Sequence, residues 1–349
     1  MDSAVASHGM EPMSIDLDSL QDTLDEWAYE EVTPVLLQHR LQILNQRGLD
    51  RLPLPGQGQT LDRWRALAKV ANHDLGLVKL YEGHTDALAI LSELDGFVPL
   101  PDSLWGVWAA EPPDARLLVR YGADSMVTLH GRKSWCSGAS LVSHALVTAW
   151  MDDHPMLVAV EMNQPGVEVT QDGWRAVGMQ ATGSVDVLFD GAAGVLVGAP
   201  GRYLHRPGFW HGGGGIAACW YGSATALADT LRAHCKRHRE PHALAHLGHV
   251  DAALLGAATA LRQAAAWIDR EPTADARYPI CQLRAVVEQC SEIVIRHAGR
   301  AFGAAPLCRD AYCARHMADL PVYLRQSHAE RDLAVLGDLN LLEGAPWQL

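Results

Sequence analysis

Residues 129–149, LHGRKSWCSGASLVSHALVTA, decide the fold that we expect for this chain. Their hydrophobic pattern has a period of two, and a turn around CSGAS divides the stretch into two strands. Further short stretches of period two, such as GVEVTQ and SVDVLFD, lie between about residues 104 and 197 and are separated by Gly, Pro and Asp. Short strands at this spacing predict a small β-barrel or β-sandwich.

The sequence on either side of this β block has the helical period. From Ile15 to about Glu93, apolar residues recur at steps of three to five, interrupted by RLPLPGQGQT at 51–60. After Pro207 the helical period returns in four stretches, the last from Asp310 to Leu339, which is enough for a bundle. We therefore predict a mostly α protein with a small β domain. Its parts are an N-terminal helical domain at 1–100, a β domain at 101–205 and a C-terminal four-helix bundle at 206–349.

Composition limits where the protein works and what it binds. The formal net charge is -13 over 349 residues, so no basic surface is expected to bind nucleic acid. The seven cysteines form no CxxC motif, which indicates a reducing cytoplasm. The first twenty residues contain no Lys or Arg, unlike a signal peptide, and no apolar run has the length of a membrane span. We expect a soluble cytoplasmic protein.

The order of helical domain, β domain and bundle resembles the acyl-CoA dehydrogenase family. Three segments carry the resemblance: LHGRKSWCSGASLVSHALVTA, VGMQATGSVDVLFDG at 177–191 and AHCKRHREPHALAHLGHVDAAL at 233–254. The resemblance implies bound FAD, a small-molecule substrate such as an acyl-CoA, and self-association to a dimer or tetramer or pairing with a homologous subunit.

The resemblance also implies which residues contact the flavin. It assigns Trp135 to packing against the isoalloxazine ring and Ser137 to hydrogen bonding at the ring edge; two positions apart on a strand, they face the same side. It assigns Arg239 to the flavin pyrophosphate of a neighbouring subunit, although His242 and Ala243 replace the usual aromatic residue and glycine. Of the family's glycine-rich phosphate turn, only Gly303 remains.

The residues expected to bind and deprotonate the substrate depart from the family pattern. The segment AAEPP at 109–113 lacks the family's Thr and Ser hydroxyls, and the two family positions for the catalytic carboxylate correspond to Ser327 and Gly212. Abstraction of an α-proton needs a base that faces the flavin. The candidates left are His328, Glu330, Glu82 and His84. The alternative is that HAERDL at 328–333 is only a charged, solvated helix face.

Two further patterns suggest other chemistry. HGGGG at 211–215 resembles an esterase oxyanion loop, but no GxSxG motif accompanies it, so we interpret the glycines as close helix packing or room for a ligand. Histidines recur every four residues, a spacing that suits zinc. They are interrupted by Pro241 and lack a carboxylate or paired cysteines, so no metal is expected. These histidines are His234, His238, His242 and His246.

The sequence therefore predicts a divergent FAD-dependent oxidoreductase that acts on an acyl thioester or a related small molecule. One alternative is a non-catalytic partner subunit of a heteromeric complex, which the missing base favours. Another is a flavin monooxygenase of the same fold, which needs no α-proton base and in which His328 would serve as proton donor. The sequence does not separate these alternatives.

Overall fold

The computed structural model describes residues 14–27, 30–94, 96–121, 126–344 and 346–347. Its N-terminal part is helical. The helices are α1 (Leu17–Asp25), α2 (Pro34–Gln46), α3 (Thr60–His73) and α4 (Leu75–Glu93). Side chains cap the N-termini of α1, α2 and α4: the acceptors are Asp16, Thr33 and Asp74. Such caps satisfy amide groups that have no partner within the helix.

The period-two block forms a barrel, one of the two architectures that the sequence left open. Its strands are β1 (Trp105–Trp108), β2 (Leu117–Tyr121), β3 (Val127–Cys136), β4 (His144–Met151), β5 (His154–Glu161), β6 (Val167–Val169) and β7 (Val185–Leu196). The pairings run from β4 through β2, β3, β7 and β5 back to β4, so these five strands close on themselves. Closure leaves no open edge among them. β1 pairs with β4 and β6 with β7.

The C-terminal part is a helical bundle whose fourth element is broken. It contains α5 (Arg202–His205), α6 (Pro207–Arg237), α7 (Pro241–Arg270), α8 (Arg277–Phe302), α9 (Ala304–Arg309), α10 (Ala311–Tyr323) and α11 (Glu330–Glu343). The sequence predicted one stretch from Asp310 to Leu339. Instead, a 3-10 turn follows α10, and Ala329 has a φ of 50°. An α-helix cannot continue through that conformation, so the chain changes direction before α11.

Glycines let α6 approach the N-terminal helices closely. A Cβ atom on Gly222 would lie 2.2 Å from the backbone oxygen of Ala68, and one on Gly214 would lie 2.5 Å from the Trp64 ring. Trp64 and Trp220 are fully buried. The N-terminal helices and the bundle therefore share one core.

The imidazole of His84 connects three segments of the chain. Its Nε2 lies 2.9 Å from Asp50 Oδ2, and its Nδ1 accepts a hydrogen bond from the backbone N–H of Trp105 at 3.2 Å. His84 is buried. Because both ring nitrogens are engaged, this side chain attaches α4 to the loop after α2 and to the first strand of the β domain.

α7 presents apolar side chains on its outer face. It is the one helix within the described residues that is long and apolar enough to cross a membrane, and 22% of its most apolar window is buried. The exposed side chains on α7 include Leu244 and Leu255, and Val286 and Ile293 are exposed on α8. A single such helix is weak evidence for a membrane span. An apolar surface of this kind is also typical of subunit interfaces.

Candidate functional site

A cavity of about 1030 Å³ opens between the barrel and the helices. Its walls come from the barrel and the loop before β7, from α4, α5, α6, α8 and α10, and from the turn before α11 with the start of that helix. Aromatic rings form much of the lining: Trp108, Trp135, Trp174, Tyr203, Phe209, Trp210 and Tyr323. A large concave site with an apolar lining and a few polar groups is the usual form of a small-molecule site.

Trp135 and Ser137 lie together on the barrel side of this cavity. They do not face it as strand neighbours, because β3 ends at Cys136 and Trp135 has a φ of 58°. Trp135 is 51% exposed, whereas Trp64, Trp105, Trp108 and Trp220 are buried. Left-handed backbone at a non-glycine residue often marks a functional site.

A row of hydroxyl groups lies beside Trp135. Ser137 Oγ and Ser184 Oγ are 2.8 Å apart, and Ser184 Oγ and Thr182 Oγ1 are also 2.8 Å apart. The Trp108 indole N–H donates to the backbone oxygen of Ser137 at 3.0 Å. Thr182 and Ser184 were not expected as site residues from the sequence, although both belong to the segment at 177–191 that carried the resemblance.

A left-handed residue also marks the loop that carries these hydroxyls. Met179 has a φ of 59° and lines the cavity, and its backbone N–H donates to the buried carboxylate of Asp319 on α10. Burial raises the pKa of Asp319 to about 6. A Cβ on Gly178 would lie 2.1 Å from the backbone oxygen of Ala318, so the loop is pressed against α10.

α4 contributes two carboxylates to the cavity wall. Glu82 and Asp86, one helical turn apart, both line the cavity. Lys79 Nζ lies 2.9 Å from Glu82 Oε2, and burial raises the pKa of Glu82 despite this ammonium neighbour. A buried carboxyl with a raised pKa is a candidate general acid or base. His84, weighed with Glu82 from the sequence, is not among the cavity-lining residues.

The turn before α11 brings Ser327 and His328 to the cavity. His328 Nδ1 lies 3.2 Å from Asp332 Oδ1, and the backbone N–H of His328 donates to Asp332 Oδ2 at 3.0 Å. Glu330 is exposed in the first turn of α11 and is not part of the lining. Of the two candidates near Ser327, the structure thus brings His328 to the cavity and leaves Glu330 outside it.

Ser327 is paired with a carboxylate that sequence reasoning missed. Its Oγ donates to Glu288 Oε2 at 2.6 Å, and both residues line the cavity. Glu288 lies on α8, about forty positions earlier in the chain. No sequence signal links the two positions, because only the tertiary packing of α8 against the turn brings them together.

Arg239 and Gly303 lie away from the cavity lining. Arg239 is exposed in the turn between α6 and α7, and Gly303 joins α8 to α9 with a φ of 61°. The role implied for Arg239 involves a second subunit, so a single chain does not test it.

The glycine run at 212–215 serves both helix packing and the cavity. Gly212 and Gly213 line the cavity, whereas Gly214 and Gly215 face Trp64 and Leu67. The run lies inside α6 and not in a loop, so its amides are engaged in the helix.

Three of the repeated histidines contact other histidine rings, but the four do not form one cluster. His234 and His238 have ring centroids 5.3 Å apart, and His246 Nδ1 lies 2.9 Å from His297 Nδ1 on α8. Among the residues that the structure describes, no group of three or more His, Cys, Asp or Glu side chains is arranged to hold a metal ion.

Comparisons with known proteins identify the architecture. No family model matches the sequence. KijD3, solved with FMN and a dTDP-linked amino keto sugar, superimposes with a TM-score of 0.76 over 94% of this chain and 91% of that one, at 19% identity. Methanesulfinate monooxygenase MsuC from Pseudomonas fluorescens gives 0.77 over 97% and 99%, at 18% identity. The chain has the acyl-CoA dehydrogenase-like fold.

Two further relatives agree with this assignment. A nitrososynthase from Micromonospora carbonacea var. africana superimposes with a TM-score of 0.78 over 94% of this chain and 96% of that one, at 18% identity. In sequence, amino sugar nitrososynthase DnmZ from Streptomyces peucetius is 36% identical over 73 residues. That match spans 20% of this chain and 18% of the enzyme, so it is a local similarity.

Proposed function

We propose that this chain is a flavin-dependent monooxygenase that acts on a small molecule. The observation that carries the proposal is the composition of one cavity. It joins an exposed tryptophan and a row of hydroxyls on the barrel side to His328 on the helical side, while Ser327 and Gly212 occupy the expected positions of a dehydrogenase base. The names of the structural neighbours, among them a monooxygenase and a protein solved with FMN, support the same class.

The barrel side of the cavity fits a flavin. The Trp135 indole is turned out of its strand and offers an apolar wall, and the hydroxyls of Ser137 and Ser184 offer hydrogen bonds to a ring edge. Flavin proteins need such a wall and such partners to orient the ring. The resemblance implies FAD, whereas KijD3 was solved with FMN, so a titration must distinguish the two.

His328 is the proposed proton donor on the helical side. A reduced flavin, when bound, would react with dioxygen: one oxygen atom would pass to the substrate, the other would leave as water, and the flavin would become oxidised. His328 Nδ1 faces a carboxylate oxygen of Asp332, which only accepts, so the neutral ring carries its proton on Nδ1. That leaves Nε2 as the ring nitrogen through which His328 takes up a proton and passes it on.

The substrate occupies the part of the cavity between α4 and α6 in this proposal. Tyr203, Phe209 and Trp210 form consecutive edge contacts there, with ring centroids 5.6 and 5.4 Å apart. Glu82 and Asp86 lie on the facing helix. We therefore expect a substrate with an apolar body and polar substituents. An acyl thioester remains an alternative, in which Glu82, a cavity carboxyl whose pKa is raised by burial, would act as base.

The test begins with flavin binding. The purified chain is titrated with FMN and with FAD, and the quenching of flavin fluorescence is measured for wild type, Trp135→Ala and Trp347→Ala. Trp347 is 92% exposed and does not line the cavity, so its variant is the matched control. We expect weaker binding only for Trp135→Ala. Absence of binding by the wild type would overturn the proposal and favour a non-catalytic partner subunit.

The second step separates oxygenation from dehydrogenation. Anaerobic mixing of the flavin-loaded protein with a chain-length series of acyl-CoAs should leave the flavin oxidised, because Ser327 and Gly212 replace the usual base. A positioned base contributes about 10²- to 10⁴-fold. Rapid bleaching that is lost in Glu82→Gln would instead identify a dehydrogenase with a displaced base.

A further inference from the structure

Glu288 on α8 holds the turn that carries His328. Its Oε2 accepts a hydrogen bond from Ser327 Oγ at 2.6 Å, and its Oε1 accepts one from Arg325 Nη2 at 2.7 Å. The Glu288 side chain is 13% exposed. Both carboxylate oxygens are therefore engaged by residues one and three positions before His328.

Arg284 lies one helical turn before Glu288 on α8. It binds Gln326, which lies between Arg325 and Ser327. Arg284 Nη2 donates to the backbone oxygen of Gln326 at 3.1 Å, and Nη1 donates to the backbone oxygen of Gly213 at 3.0 Å. Its guanidinium lies 4.6 Å from the centre of the Trp220 ring. α8 thus contacts Arg325, Gln326 and Ser327 in succession.

The turn itself needs such support. Ala329 has a φ of 50° and a ψ of -118°, a conformation that non-glycine residues rarely adopt. Its backbone N–H donates to Ser327 Oγ at 3.1 Å. The Ser327 hydroxyl therefore connects Glu288 on one side to the backbone that follows His328 on the other. A strained conformation persists where neighbouring contacts determine it.

We propose that Glu288, acting through Ser327, is the positioning residue that fixes His328 in the cavity and against Asp332. Position 327 lacks a carboxylate of its own, and Glu288 supplies one to the same turn from α8. The assignment gives Ser327 a reason to be a hydroxyl residue. It rests on the proposed function only in the role given to His328, because the contacts themselves do not depend on a bound flavin.

The test measures the state of the His328 ring in the full-length chain as purified. Protein labelled with [15N]histidine is examined by NMR, and the His328 signal is assigned by its loss in His328→Asn. In wild type, the neutral ring should carry its proton on Nδ1, facing Asp332. In Glu288→Ala and in Ser327→Ala, we expect a mixture of the two tautomers, because the turn no longer holds the ring in place.

Hydrogen exchange of the backbone amides measures how strongly Glu288 stabilises the turn. In Glu288→Ala, the amides of residues 327–329 should exchange about 10- to 100-fold faster, as expected for loss of a hydrogen bond to a charged group. Glu288→Gln keeps an oxygen acceptor for Ser327 and should restore most of the protection. The matched control is Glu292→Ala, because Glu292 pairs with the same Arg325 at 3.5 Å and is exposed.

The outcomes are distinct. An unchanged His328 tautomer in Glu288→Ala would overturn the proposal. The proposal would also fail if Glu292→Ala changed the tautomer and the amide exchange as much as Glu288→Ala does. Flavin titration of the same variants keeps this test separate from the proposed function. If wild type binds no flavin but the tautomer changes as expected, the positioning role stands and the monooxygenase proposal fails.

Discussion

Replacing Gly214 with alanine tests whether α6 is packed as closely against α3 as the structure indicates. The new Cβ would lie 2.5 Å from Trp64 Cζ2 and 3.1 Å from Ile280 Cδ1. Trp64 is buried and cannot move aside without repacking the core. Overpacking of this kind lowers the free energy of unfolding by about 1–3 kcal/mol. The gain from replacing glycine in a helix interior, about 1 kcal/mol, offsets part of that cost.

The neighbouring glycine provides the control that separates these two effects. A Cβ on Gly213 would meet Ile280 Cγ2 at 3.6 Å, an ordinary contact. Gly213→Ala should therefore be as stable as wild type or more stable. Both variants gain the same helix propensity, so the difference between their free energies of unfolding measures the clash alone. We expect this difference to be about 1–3 kcal/mol.

The assay is denaturant unfolding followed by circular dichroism, with midpoints compared at equal protein concentration. A chain of this size need not unfold in two states, so the comparison between the two variants carries the result. If Gly214→Ala unfolds at the same denaturant concentration as Gly213→Ala, the close approach of α6 to Trp64 is wrong.

Three further predictions concern binding, pH and assembly. Trp135→Ala should lower retained flavin while the helical circular dichroism signal stays intact; full retention would remove Trp135 from the site. Burial lowers the pKa of Lys133 from 10.5 to about 8. Between these pH values the unfolded chain binds more protons than the folded chain, so the free energy of unfolding should rise from about pH 8 to pH 10.5. Lys133→Met should flatten that rise in thermal unfolding, and an unchanged slope would contradict the assignment. We also expect an oligomer that buries the outer face of α7, measured by light scattering. Leu255→Glu should shift the equilibrium from oligomer towards monomer. A wild-type monomer that holds flavin tightly would refute both the oligomer and the role implied for Arg239.

The architecture could be predicted because each part of the chain has a clear hydrophobic period. The hydrophobic period changes from helical to two near residue 104 and returns to helical after Pro207. This period reflects which side chains face a core, and the helices and strands of the structure follow both changes. The closed barrel was one of two options, because strand pairing depends on register that no single strand encodes. The break before α11 was missed, since nothing in HAERDL indicates that Ala329 has a positive φ.

The site was only partly predictable. Trp135, Ser137 and His328 were chosen from local segments, and all three line one cavity. Their roles remain predictions. Glu288 could not have been chosen, because its importance comes from a hydrogen bond to Ser327 across two elements. Glu330 was chosen by proximity in sequence, but the first turn of α11 directs that position away from the cavity lining.

The contacts of His84, together with the core that the N-terminal helices share with the bundle, imply that the three blocks of the sequence are not interchangeable modules. One imidazole joins Asp50, α4 and the backbone of Trp105, and its burial makes the loss of either partner costly. The helices before the barrel share their core with the bundle that follows it. A fragment cut at either predicted boundary would expose that shared core, so limited proteolysis should release no stable fragment.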